Sequence, residues 1–212
     1  MAEICPSITE TNANPHDYRA QIEKVEGFAE RIHIDLMDGE FAPSKSINPI
    51  QVWWPDGITA DIHIMYKKPL EHLETLVSLK PNMVIIHAEA DGDLKGMMEH
   101  LQKLGIKAGV CLLKETQPDQ AEDLIKAADH VLLFSGDLGH YGGHADLELL
   151  DKVARIKEIN PKAEIGWDGG ANESNVKQLA DGGVDTITVG GAIQNSENPE
   201  NTYATLVEKS QN

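Results

Sequence analysis

The chain has 212 residues, 41% of them hydrophobic, and a formal net charge of -17 at pH 7. That length suits one domain with a sizeable core and also accommodates a full α/β barrel, so residues 1–212 are expected to form a single domain. No apolar run approaches the roughly 18 residues of a membrane-spanning helix, the acidic residues are spread along the chain as a solvated shell, and the N-terminus lacks the basic and apolar regions of a signal peptide. These features argue against membrane and nucleic-acid partners and lead to the expectation of a cytoplasmic protein.

In chain order, Glu3 to Ile8 is a short apolar run ending at Pro6-Ser7, followed by Tyr18, Ile22, Val25 and Phe28 at helical spacing behind Pro15. Arg31 to Gly39 alternates polar and apolar residues with a period of two and then breaks at Asp38-Gly39, a strand running into a turn. On that strand His33, Asp35 and Met37 share one face, and Ile32, Ile34 and Leu36 the other. After a loop and a short helical segment within 49–55, Ala60 to Met65 repeats the alternation with Asp61, His63 and Met65 on one face, and Pro69 heads a helix with Leu70, Leu73 and Leu76.

The same unit then recurs. Asn82 to His87 is followed by a helix over Leu94, Met97, Met98 and Leu101; Lys107 to Leu113 by a helix from Pro118 through Ile125. His130 to Phe134 leads into a glycine-rich loop and a helix through Leu147, Leu150, Val153 and Ile156. Ala163 to Asp168 precedes Gly169-Gly170 and a helix over Val176 and Leu179, and Gly183 to Val189 precedes Gly190-Gly191 and a last helix near Tyr203 to Val207. Eight strand–helix units of about 25 residues predict a closed (β/α)8 TIM barrel, because parallel strands need helical crossovers and eight strands close. A flavodoxin-like open sheet would leave three strands unexplained. Cys5 and Cys111 read as buried thiols rather than a disulfide.

In a barrel the C-terminal strand ends converge on the mouth, and His33, Asp35, His63 and Asp168 fall there. Two imidazoles and two carboxylates suit one divalent ion, with Zn, Mn, Fe and Co all compatible with the donors. Ser7 is placed to hydrogen-bond a substrate hydroxyl, Met37 and Met65 to wall the pocket, and His87 and Glu89 to stand behind the ligands. Gly142-Gly143, Gly169-Gly170 and Gly190-Gly191 follow strands six, seven and eight, where barrels hold phosphate on backbone N–H groups.

The segments His-Ile-Asp-Leu-Met-Asp-Gly-Glu-Phe-Ala-Pro, Asp-Ile-His-Ile-Met, Lys-Ala-Gly-Val-Cys-Leu, Trp-Asp-Gly-Gly and Val-Gly-Gly-Ala-Ile resemble, in order, the motifs of the ribulose-phosphate 3-epimerase family. The resemblance implies a barrel of the ribulose-phosphate-binding type and a metal-dependent isomerase of carbohydrate metabolism. Its expected reaction interconverts D-ribulose 5-phosphate and D-xylulose 5-phosphate, a step of the pentose phosphate pathway. It further implies that His33, Asp35, His63 and Asp168 bind the metal, and that Asp35 and Asp168 are the acid and base. Ser7, His63, Gly142, Gly143, Gly169, Gly170, Gly190 and Gly191 would contact the sugar or the phosphate.

The chain departs from that pattern in the loop Phe134 to His144, which lacks the family's proline and carries His140 and His144; in Gly166-Trp167 on strand seven; in Gly191; and in the segment after Ser7. A 3-epimerase of another ketose phosphate, such as allulose 6-phosphate, and a non-catalytic sugar-phosphate-binding barrel are the alternatives. A decarboxylase or aldol-type relative is disfavoured because Met37 stands where its lysine belongs. The pattern leaves open the choice of metal, the sugar length, the formation of a homo-oligomer, and whether His87, Glu89, His140 or His144 enter the site.

Overall fold

The structure, a computed structural model, describes residues 1–140 and 143–211. Eight parallel strands close into a barrel: β1 (Glu3–Thr9), β2 (Arg31–Met37), β3 (Thr59–Met65), β4 (Met83–His87), β5 (Lys107–Leu112), β6 (His130–Phe134), β7 (Glu164–Asp168) and β8 (Thr186–Val189), with β8 pairing back onto β1. The helices are α1 (Pro15–Val25), α2 (Leu73–Leu79), α3 (Leu94–Lys103), α4 (Glu122–Ala127), α5 (Asp151–Ile159), α6 (Val176–Asp181), α7 (Gly191–Gln194) and α8 (Pro199–Gln211). The expected barrel is therefore present.

Period-two alternation divides the apolar residues into two cores. Side chains such as Ile32, Ile34, Leu36, Ile62 and Ile64 point outward and pack against the helices. Met37, Met65, Met83, Ile85, Cys111, Leu132 and Phe134 fill the barrel interior as a separate cluster. The interior below them is ionic. Buried Arg31 donates through Nε to Asp61 at 2.6 Å and through its terminal nitrogens to Glu3 at 2.8 Å and Glu164 at 2.9 Å. Glu164 also meets His130 Nδ1 at 2.7 Å. This network plugs the barrel floor and directs the opening to the opposite end.

Gly166 belongs to the same packing. A Cβ there would lie 2.3 Å from His130 Nε2, so the imidazole fills the inward space that a side chain on β7 would otherwise occupy. Its neighbour Trp167 points outward and is wholly buried under the helices, as the alternation predicts.

The structure departs from the sequence reading in several places, four of which bear on the packing around the barrel. β1 runs to Thr9, because Thr9 pairs with Asp35 on β2. The last helix is extended, from Pro199 to Gln211, and its Ser210 hydroxyl ties it to the Ala2 carbonyl near the start of β1. A four-residue helix, α7, follows Gly190, and it is too short to carry an apolar period. Leu70, expected on a buried stripe, is exposed in a 3-10 turn that precedes α2.

Candidate active site

His33 and Asp35 come from β2, His63 from β3 and Asp168 from the end of β7, all four buried. The register pairs Asp35 with His63 and, one step further on, Met37 with Met65. His33, Asp35 and His63 thus sit one layer below the rim rather than at the strand ends, and the two methionines stand above them as a wall. Ligand atoms of the four residues lie within 4.8 Å of one another. Asp35 Oδ1 is 3.2 Å from His33 Nε2 and 3.0 Å from His63 Nδ1; Asp168 Oδ2 is 3.9 Å and 3.6 Å from the same two atoms.

These separations fit a metal. Ligand bonds of about 2.0–2.1 Å in a tetrahedron place donor atoms roughly 3.3 Å apart, within the observed span. His33 Nε2 is buried with no hydrogen-bond partner among the described residues, as expected of a nitrogen whose lone pair is reserved for a cation. Burial alone would raise the Asp35 carboxyl, but the adjacent His33 and His63 rings outweigh it and hold the group well below the usual carboxylate range. Asp35 is ionised at neutral pH and competent as a ligand.

A cavity of about 350 Å³ opens above the quartet, large enough for a small phosphorylated sugar. Its lining includes Ser7, Asp35, Met37, Met65, Phe134 and Asp168 together with Gly143, Gly169, Gly170, Gly190 and Gly191. The structure thus brings together the expected site residues, except that Gly142 lies outside the described residues. His140 also lines the cavity, while His144 is exposed. His87 and Glu89 stand behind His63 and do not line the cavity, His87 Nε2 lying 2.9 Å from His63 Nε2.

The backbone after β7 is locked by three side chains. The Trp167 indole N–H donates to the Gly169 carbonyl at 2.9 Å, and the Asn172 and Asn175 amides both donate to the Gly170 carbonyl at 3.0 Å. In a trans peptide the N–H points opposite to the C=O, so the bond from the outward-facing Trp167 directs the N–H of Gly170 away from the helix layer. Gly169 has φ +108° and Gly170 φ +70°, and a Cβ on Gly169 would meet the Gly136 nitrogen at 2.1 Å. Only glycine fits that turn. Trp167 is visible in the sequence as a departure from the family pattern, but the bond its ring nitrogen makes depends on the direction of the Gly169 carbonyl.

Thr9 was missed altogether. Its hydroxyl donates to Asp35 Oδ2 at 2.5 Å and lies 3.0 Å from the Ser7 hydroxyl, and both residues line the cavity. The signal was the period-two continuation from Ser7, obscured because the apolar run ends at Ile8.

The chain matches known proteins over most of its length. Residues 3–194 match the ribulose-phosphate 3 epimerase family. The ribulose-phosphate 3-epimerase of Helicobacter pylori is 31% identical over 185 residues, covering 84% of each chain. That of Bacillus subtilis is 30% identical over 206 residues, covering 91% of this chain and 92% of the relative. Among solved structures, 3-hexulose-6-phosphate synthase from Salmonella typhimurium superposes with TM-score 0.68 at 15% identity, covering 99% of this chain and 98% of that one. KGPDC from Streptococcus mutans gives TM-score 0.72 at 13% identity, covering 100% and 98%. At such identities the structural likeness speaks for the barrel alone, whereas the sequence matches reach the reaction class: this chain belongs to the ribulose-phosphate 3-epimerase family and is an isomerase acting on carbohydrates.

Proposed function

We propose that the protein is a metal-dependent 3-epimerase of a ketose phosphate, interconverting D-ribulose 5-phosphate and D-xylulose 5-phosphate by proton transfer at C3. The observation that carries this reading is the placement of two carboxylates, Asp35 from β2 and Asp168 from β7, around one imidazole nitrogen at the base of a sugar-sized cavity. Inverting a carbon next to a carbonyl requires a proton to leave one face and another to arrive on the opposite face. A pair of acid–base groups rising from different strands of the mouth meets that requirement, and a mere binding protein would gain nothing from it.

His33, Asp35, His63 and Asp168 would hold one divalent ion, with Zn, Mn, Fe and Co all suited to the donor set. Bound there, the ion supplies electrostatic stabilisation of the negative charge that spreads onto the C2 oxygen as C3 loses its proton. Asp35 and Asp168 exchange protons with the two faces of C3, one as base and the other as acid, and their roles reverse in the opposite direction. Asp35 presents Oδ2 for this task, since Oδ1 is occupied with the two histidines. Met37, Met65 and Phe134 shield the reacting carbon from water. Ser7 hydrogen-bonds the sugar, and the N–H groups of the glycine turns after β7 and β8 anchor the phosphate.

A 3-epimerase of a six-carbon ketose phosphate is the second reading. It is favoured by the loop after β6, where Gly136, Gly139 and His140 line the cavity and the Ser44 hydroxyl holds the Gly139 carbonyl, so that this unusual loop sets how long a sugar fits. Turnover of ribulose 5-phosphate and of allulose 6-phosphate, measured side by side on the metal-loaded enzyme, tests the proposal. A kcat/KM at least tenfold higher for ribulose 5-phosphate supports it, and turnover of allulose 6-phosphate alone would replace it with the second reading.

A further inference from the structure

His87 ends β4, fully buried, with its Nε2 2.9 Å from Nε2 of His63. Two ring nitrogens at that separation share one proton, since none would leave two lone pairs facing each other and two would make the hydrogens collide. Which ring donates is decided at the far side of His87. There Nδ1 lies 3.5 Å from Glu89 Oε2, and both atoms are buried with no hydrogen-bond partner among the described residues. The other oxygen of Glu89 is anchored, accepting from the Leu113 N–H at 3.1 Å and from the Thr116 hydroxyl. Two buried orphans facing each other gain by closing that gap.

An ionised carboxylate only accepts, so the atom of His87 that faces it must carry the hydrogen. Glu89 is ionised: burial would raise its carboxyl, but His87, Thr116 and the Leu113 N–H outweigh that and lower it. His87 is enclosed between the His63 nitrogen on one side and the Glu89 oxygen on the other, and a single ring hydrogen aimed at the carboxylate satisfies both contacts. With that hydrogen on Nδ1, Nε2 of His87 is bare and accepts from His63. We infer that Glu89 and His87 are positioning residues that keep His63 protonated on Nε2, leaving its Nδ1 to face Asp35 and Asp168 and to bind a cation there. The chain of donors runs from His63 Nε2–H to His87 Nε2 and from His87 Nδ1–H to Glu89 Oε2.

Cys111 completes a second group with His63 and His87, their ligand atoms within 4.8 Å of one another. Its thiol is wholly buried near the end of β5. In this assignment the trio holds a shared proton instead of an ion.

The inference rests on reading His63 as a ligand through Nδ1, and the first measurement separates the two. In the metal-free, full-length protein labelled with 15N-histidine, long-range 1H–15N spectra at pH 7 read the tautomer of His87 directly. The Nδ1–H form is expected, although a free neutral imidazole favours Nε2–H. An Nε2–H ring would overturn the relay whatever the metal site does. Zinc affinity, measured by chelator competition, should fall about 10–100-fold in Glu89→Gln and in His87→Leu and recover largely in His87→Gln, whose amide oxygen still accepts from His63. Unchanged affinity in both Glu89→Gln and His87→Leu would contradict the positioning role. Two zinc ions per chain, one of them lost in Cys111→Ser, would assign the trio to an ion and overturn the inference as well. Undiminished zinc in His63→Ala, beside an Nδ1–H His87, would retain the hydrogen-bond chain and reject His63 as the ligand it serves.

Discussion

The Thr9 hydroxyl donates to Oδ2 of Asp35 at 2.5 Å, while Oδ1 of the same carboxylate faces His33 and His63. The two oxygens thus face different ways, one toward the proposed metal quartet and one toward the cavity, and Thr9 fixes the rotation that separates them. Thr9→Val keeps the shape and removes the donor. A hydrogen bond to a charged group contributes about 1.5–3 kcal/mol, so kcat/KM should fall about tenfold or more, with recovery in Thr9→Ser. Steady-state kinetics check this, and an unchanged rate in Thr9→Val would show that the quartet alone orients Asp35.

Trp167 leads to a prediction about phosphate recognition. Trp167→Phe retains an aromatic ring in the helix-facing core but loses the N–H that holds the Gly169 carbonyl. The turn after β7 should then present its N–H groups less rigidly, raising KM for the phosphorylated ketose severalfold while leaving metal content unchanged. The dephosphorylated sugar should be a poor substrate of the unaltered enzyme, its kcat/KM lower by orders of magnitude, because the anchor helps orient the reacting carbon. Equal efficiency on ribulose and ribulose 5-phosphate would reduce the glycines to turns.

Much of this site is legible in the sequence because β-strands have an exact period. Once Arg31–Met37 and Thr59–Met65 are recognised as strands, His33, Asp35 and His63 must face inward, and eight repeats bring Asp168 round to meet them. What is not legible depends on register and on backbone direction. Thr9 belongs to β1 because it pairs with Asp35, a long-range fact that the composition of residues 3–9 does not carry. The partnership of His87 with His63 crosses from β3 to β4, and the Trp167 to Gly169 bond depends on which way one peptide faces. The helix α7, with four residues, offers no period to read.

The barrel floor should show in acid stability. Burial would raise the Glu164 carboxyl, but hydrogen bonds from His130 and Arg31 outweigh it and lower it well below the ordinary glutamate value. A carboxylate depressed in the folded state stabilises the protein above its unfolded pKa, roughly 4.3, and loses that contribution as pH falls further toward the folded value. Glu164→Gln should therefore be less stable than the parent by about 2 kcal/mol at pH 7, with the difference shrinking below pH 4. Urea melts at pH 7 and pH 3.5 measure it; a constant gap would remove the ion network from the explanation.

Gly166 tests packing in the same region. Gly166→Ala places a methyl against the His130 ring, which Glu164 holds in place, and should cost about 1–3 kcal/mol. Combined with His130→Ala, the penalty should largely disappear, giving strong non-additivity in a double-mutant cycle. Additive effects would mean that the glycine and the imidazole are not packed against each other.

The most direct measurement follows the C3 proton of ribulose 5-phosphate by NMR in deuterated water, with the metal-loaded parent enzyme and with Asp35→Asn and Asp168→Asn. With a carboxylate serving each face, xylulose 5-phosphate formed by the parent carries deuterium at C3, while ribulose 5-phosphate remaining early in the reaction does not. Both variants lose epimerisation by several orders of magnitude, and the variant retaining the carboxylate on the substrate's proton-bearing face still exchanges that proton without inversion. Epimerisation at the parent rate in either variant, or xylulose 5-phosphate formed without solvent deuterium, would contradict acid–base catalysis by Asp35 and Asp168.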